Sequence, residues 1–168
     1  MDWSAVVAEL PKAVPVIVGG ILAIAGGIAG QSLTHIVSVR RERKKLIREK
    51  AEALIAALYE HRDWVGRENS RLVFGSELPE MPSPLDKAYA IQELYFPELA
   101  GSLRNITASM KDIVPYFYKH AKARLADKAA WINTFDSEEF SPLYQAYLNA
   151  FQVAVNDVVR VARKHIET

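Results

Sequence analysis

The apolar positions of the chain follow two different patterns. From Ala13 to Val39 they run together with no acidic or basic residue, and the run stops at Arg40-Arg41-Glu42-Arg43-Lys44-Lys45. From Ile47 onward they recur at steps of three and four, the period of an amphipathic helix. The first pattern predicts a membrane span and the second a helical bundle.

As a helix, Pro15 to Thr34 rises about 30 Å, which matches the hydrocarbon thickness of a bilayer. Pro15 is tolerated in the first turn, where its missing N–H has no intrahelical partner to lose. Gln31, Ser32, Thr34 and His35 mark the approach to the headgroups. Around this helix Gly19, Ala23, Gly26, Gly30 and Thr34 share one side, opposite Ile17, Ile21, Ile24 and Ile28. Small residues let two backbones approach closely in lipid, so Gly26-xxx-Gly30 and Gly19-xxx-Ala23-xxx-Gly27 form a candidate glycine-zipper contact between helices. Ahead of the span, Trp3 stands with Val6, Val7 and Leu10 in a short interfacial segment and suits headgroup depth.

The flanks set an orientation. Lys12 alone precedes the span, offset by Asp2 and Glu9, whereas Arg40, Arg41, Arg43, Lys44, Lys45, Arg48 and Lys50 follow it. The positive-inside rule places the N-terminus outside and the remainder in the cytoplasm. The same cations are candidates for contact with anionic headgroups. A cleaved signal peptide is the rival reading, because Ala23-Ile24-Ala25 has the small-x-small form. Against it, a basic leading region is lacking and apolar residues continue past the site.

Past the basic block, Ile47, Ala51, Leu54, Leu58, His61 and Val65 predict a helix that carries on to about Leu72, with His61 a hydrogen-bonded core or boundary residue rather than a ligand. Gly75, Pro79 and Pro82 predict a loop over Phe74 to Pro82. Ser83-Pro84-Leu85-Asp86 predicts the start of a short second helix, with Ser83 as its cap and Leu85, Ala88, Tyr89, Ile91 and Leu94 on its apolar side. Leu99, Leu103, Ile106, Met110, Ile113 and Phe117 predict a longer third helix ending near Lys128, kinked or split by Pro115. Trp131 to Phe140 reads as a loop whose Asp136, Glu138 and Glu139 form a solvated acidic turn rather than a metal site. Ser141-Pro142-Leu143 opens the last helix, with Tyr144, Tyr147, Phe151, Val155, Val158 and Ala162 in one stripe.

The expected fold class is therefore all-α: a single N-terminal transmembrane helix continuing into a cytoplasmic antiparallel bundle of three long helices and one short. Residues 1–12 form the interfacial segment, 13–39 the span, 40–74 the basic juxtamembrane helix, and 75–168 the rest of the bundle.

Charge changes the picture in one respect. Of the 21 basic residues, seven fall between Arg40 and Lys50 beside two acids; residues 51–168 carry 13 basic and 16 acidic ones. The basic block is local, so nucleic-acid binding is not predicted. Absence of cysteine excludes disulfides, thiol nucleophiles and zinc–thiolate sites. No phosphate-binding loop follows a strand, no nucleophile elbow occurs, and no Glu-x-x-His pair appears. The four histidines, at 35, 61, 120 and 165, are far apart and no two share an i,i+4 face. Neither an enzyme nor a cofactor is expected. The pattern points to a membrane anchor, adaptor or scaffold, whose partners are an anionic bilayer and either further copies of the chain or another protein. The alternative is an oligomerising effector that permeabilises the membrane under control of the bundle, although a span with almost no ionisable residue lines water poorly.

Overall fold

A computed structural model gives the backbone of residues 3–167, and the side chains of His35 and of residues 37–167. Among the described residues every regular element is helical. Helix α1 covers Trp3–Glu68 and passes into a π turn at Asn69–Val73; α2 covers Leu85–Tyr95 and α3 Ala100–Ala126, with a 3-10 turn at Pro97–Leu99 between them. Two further helices, α4 (Lys128–Thr134) and α5 (Phe140–Glu167), complete the order. The chain divides into two compact units, residues 1–45 and 46–168. The first is helical backbone; the basic side chains at its end are exposed. Among the described residues no helix is long and apolar enough to cross a membrane. The expected span, 13–39, lies outside those residues except for His35 and Val37 to Val39.

The second unit is a helical bundle built on three apolar stripes. Leu54, Leu58 and Val65 of α1, Leu103, Ile106 and Ile113 of α3, and Tyr147, Ala154 and Val158 of α5 are wholly buried. Their i,i+3/i+4 spacing puts each set on one side of its helix, and joining the three sides removes them from water. Paired contacts give the directions. Tyr59 meets Phe151 and His61 meets Tyr147, so α5 runs opposite to α1; Ser102 meets Asp157 and Phe117 meets Phe140, so it also runs opposite to α3. Lys87 reaches Glu60 while Lys50 lies over Tyr95, which sets α2 antiparallel to α1. The result is an up-down-up-down arrangement with a short second helix.

The structure corrects the sequence-based expectation at several points. There are two short helices, not one, because Lys128–Thr134 is α4 and not loop. Asp127 is extended (φ −154°, ψ 100°), which stops α3 at Ala126, and its carboxylate accepts from the Ala130 N–H at 3.0 Å, which starts α4. Pro115 does not split α3. Both Pro115 and Lys111, whose carbonyl the proline ring leaves without a donor, are exposed, so water can satisfy that oxygen. Ser83 is not the cap residue itself. Its hydroxyl accepts from the Leu85 N–H at 3.3 Å, one position earlier than in a capping box.

On α2 the apolar side ends differently from expectation. Leu94 is 77 % exposed and Gln92 is buried instead. The chain breaks at Phe96 (φ −139°, ψ 58°) so that its ring enters the core, and the Gln92 amide donates to the carbonyls of Phe96 and Pro97 that the break frees. At the end of α1 a straight α-helix would carry the stripe from Val65 to Leu72. The π turn adds one residue to that turn, and Val73 is buried in its place.

One buried polar pair sits inside this core. His61, 2 % exposed, shares a 2.9 Å hydrogen bond through Nδ1 with the hydroxyl of Tyr147 and stacks on Trp64. Burial lowers the His61 pKa to about 4 and pushes the Tyr147 phenol well above its usual range. A histidine held neutral in the fold binds its proton more readily when unfolded. Its contribution is therefore complete above pH 6.5 and is lost as the pH falls toward 4. We expect the stability of the bundle to fall by about 2–3 kcal/mol from this residue between pH 7 and pH 4.5, read as the part of the acid loss in urea unfolding that His61→Gln abolishes. An acid loss identical in the variant would show that His61 takes up its proton as readily in the fold as in the unfolded chain.

A second test concerns the 74–83 loop. Gly75 holds φ +72°, and a Cβ there would clash with the Arg124 guanidinium. Gly75→Ala is expected to destabilise by about 1–2 kcal/mol, and Arg124→Ala should relieve only the steric part, as read by urea midpoints of the single and double variants.

Candidate functional site

The residues singled out by the sequence fall into two groups. Trp3, Gly19, Ala23, Gly26, Gly27, Gly30 and Thr34 lie outside the described side chains. Arg40, Arg41, Arg43, Lys44, Lys45 and Arg48 are described, and each is exposed on α1. A helical register makes neighbours of the like charges Arg40 and Lys44, a pairing that an anionic surface relieves. Guanidinium and ammonium groups form charge-assisted hydrogen bonds with phosphate oxygens.

Two clefts of the bundle lie where the 74–83 loop crosses α1 and α3. Trp64 Nε1–H donates to the Met81 carbonyl at 2.8 Å and pins the loop. Arg67 reaches the Met81 sulfur at 3.1 Å. A cavity of about 230 Å³ lies beside this contact, lined by Glu60, Asp63, Trp64, Arg67, Met81 and Pro84. A smaller one of about 150 Å³ lies between Trp64, Glu68, Arg71, Met81, Phe117 and Tyr118. Their polar groups are largely committed to one another. Glu68 is buried and takes two hydrogen bonds from Arg71, at 3.1 and 2.7 Å, while Glu60 pairs with Lys87.

The acidic turn after α4 is not simply solvated. Glu139 receives Lys119 Nζ at 2.7 and 2.8 Å, and these bonds hold its carboxyl below the usual range. Asp136 accepts from the Glu138 N–H. Among the described residues no three histidine or acidic side chains converge as metal ligands would. Next to Glu139 the turn covers His120, which is buried among Tyr116, Trp131 and Phe135. Trp131 Nε1–H donates to His120 Nδ1 at 3.2 Å. An indole only donates, so Nδ1 is the acceptor and the ring proton sits on Nε2. Nε2 lies 3.4 Å from Glu139, out of line for a hydrogen bond, and is buried without a hydrogen-bond partner.

Sequence reasoning missed this arrangement because it placed Trp131 in a loop. The signal was present: Asp127, a good N-cap residue, stands before the helix formers Lys128, Ala129 and Ala130 and the apolar Trp131. His120 itself lies on the α3 stripe and could have been found as His61 was, by its position on an apolar face.

In comparisons with known proteins the chain matches no family model, no curated protein and no solved structure.

The His120–Trp131 bond carries a test of how α4 is held. Trp131→Phe keeps an aromatic ring but leaves a buried nitrogen without its donor. It is expected to cost about 1–3 kcal/mol in urea unfolding, with little further loss when His120→Phe is added to it. Independent, additive losses would show that the two side chains act separately.

Proposed function

We propose that this chain is a membrane-anchored helical adaptor: residues 13–39 cross the bilayer once, the glycine face of that helix assembles the spans, and the bundle of residues 46–168 stands in the cytoplasm and positions a protein partner. The observation that carries the reading is the junction at Arg40, where a segment free of charge meets a dense basic block. Apolar surface of that length has a favourable place in lipid. The cations beside it resist translocation and add about 1 kcal/mol each of attraction to an anionic leaflet. That these side chains are exposed on α1 supports the reading.

The bundle's make-up supports a role in recruitment rather than in chemistry. Two of its buried polar pairs are used in packing, His61 with Tyr147 and Glu68 with Arg71. Two of its clefts open beneath a loop carrying Phe74, Leu78 and Met81, each 40 % or more exposed. Exposed apolar side chains in a loop over a cleft are a common form of protein-binding surface.

Flotation of the full-length chain with vesicles tests the anchor. It should rise with phosphatidylcholine vesicles, and with phosphatidylcholine–phosphatidylserine vesicles, and stay with both through 1 M salt and alkaline carbonate washes. Release by salt would reduce the protein to a peripheral cation-bound one; failure to float would remove the anchor. Protease digestion of sealed vesicles gives the orientation. Replacing Arg40, Arg41, Arg43, Lys44 and Lys45 with glutamine should leave flotation intact and mix the two orientations. Gly26→Ile with Gly30→Ile should convert oligomers to monomers in mild detergent.

A further inference from the structure

The segment between α1 and α2 crosses a part of the bundle that is packed without it. Residues 74–82 are exposed without exception, whereas Val65, Val73, Leu85 and Phe117 are buried. Lifting the segment therefore takes no side chain out of the core. Its fastenings are as few. Past Ser76, whose N–H donates to the Ser70 carbonyl at 3.1 Å, the segment is tied to α1 by the Trp64 hydrogen bond to the Met81 carbonyl and by the contact of Arg67 with the Met81 sulfur. Both ties end on Met81. Pro79 and Pro82 stand on either side of that residue, fix their own φ and have no N–H to donate. The stretch is thus stiff between two turns, one at Gly75 with φ +72° and one at Ser83, whose hydroxyl accepts from the Leu85 N–H. The cavities of about 230 and 150 Å³ beneath it share Trp64 and Met81 in their walls.

We propose that residues 76–82 are a strap that lifts from the bundle while the core stays folded, with Met81 as its latch. Closed, Met81 divides the space beneath into two cavities. Lifted, the strap leaves one groove between α1 and α3, walled by Trp64 and Phe117, so the closed form is an autoinhibitory cover over that wall. The energetics follow from what is exchanged. The exposed backbone of the strap meets water in both forms. When the latch opens, the indole N–H and the Met81 carbonyl also turn to water, which replaces most of the bond they lose. Opening the core must instead expose the apolar stripes of three helices, so the strap opens at lower free energy than the bundle unfolds. The strap belongs to residues 46–168 and rests on neither the membrane anchor nor a partner.

The Trp64 indole proton reports the latch directly. Uniformly ¹⁵N-labelled full-length protein in detergent micelles is transferred to deuterated buffer, and the signal that Trp64→Phe removes is followed beside the amide of Ile106, a wholly buried residue of α3. The indole proton should exchange at least about tenfold more slowly than free indole. Its rate should stay nearly flat as urea is raised below the unfolding transition, while the Ile106 rate climbs because its opening exposes the core. Met81→Ala keeps the carbonyl and removes the thioether; it should speed the Trp64 exchange about tenfold and leave the urea midpoint of the bundle where it was. A Trp64 rate that climbs with urea as the Ile106 rate does would show that the strap leaves only with the core, and would overturn the proposal. Exchange at the rate of free indole would overturn it as well, since there would be no latch, and an unchanged rate in Met81→Ala would remove Met81 from that role.

Discussion

The hydrogen bond between His61 and Tyr147 is the constraint from which the packing of the bundle is most easily understood. A phenol and an imidazole placed in an apolar core each cost free energy unless they meet, and they meet at only one register of α5 against α1. A slide by one turn would leave both buried and unpaired. With the register set, Phe151 comes against Tyr59 one turn away, and the rings of Tyr144 and Phe140 stack in sequence toward Tyr116 on α3. Tyr116 in turn contacts His120, which holds Trp131. A continuous run of rings thus links the centre of the bundle to α4, and the same register brings Glu139 over Lys119.

This chain of contacts explains why a seven-residue helix persists where propensity would not sustain it. Isolated helices of that length are unstable in water, since nucleation costs more than so few hydrogen bonds return. The Asp127 cap and the Trp131 side chain supply what is missing, one by closing an open N–H and the other by leaving water. Phe74 lies against both Trp131 and Phe135, so the loop after α1 is held by the same helix. The clefts beside Trp64 and Met81 depend on that loop, and through it on α4.

Charge is sorted as sharply as packing is. The cations of residues 40–50 lie together on α1, while the outward side of α5 has none over four turns. Under the proposed function the first of these faces an anionic bilayer, by an attraction that salt screens.

Residue order by itself determined the all-helical class and the apolar stripes of the bundle. The stripe residues Ile47 to Val65 on α1 and Leu99 to Phe117 on α3 are buried as their spacing requires. Periodicity is local: a 3.6-residue repeat marks one side of a helix without any knowledge of its neighbours. The basic block and the charge-free segment were legible for the same reason, being contiguous in the chain. What only the tertiary structure decided was every choice that depends on a distant partner. Leu94 follows the α2 repeat and yet is exposed, because Phe96 and Gln92 fill and close that end of the core. Pro115 stays within α3 because the carbonyl it orphans faces water. Val73 replaces Leu72 through a π turn, and Trp131 makes a helix of an apparent loop because His120, eleven residues earlier, offers a lone pair to its indole. Burial and hydrogen-bond satisfaction are properties of the assembled core, and no window along the chain contains both partners.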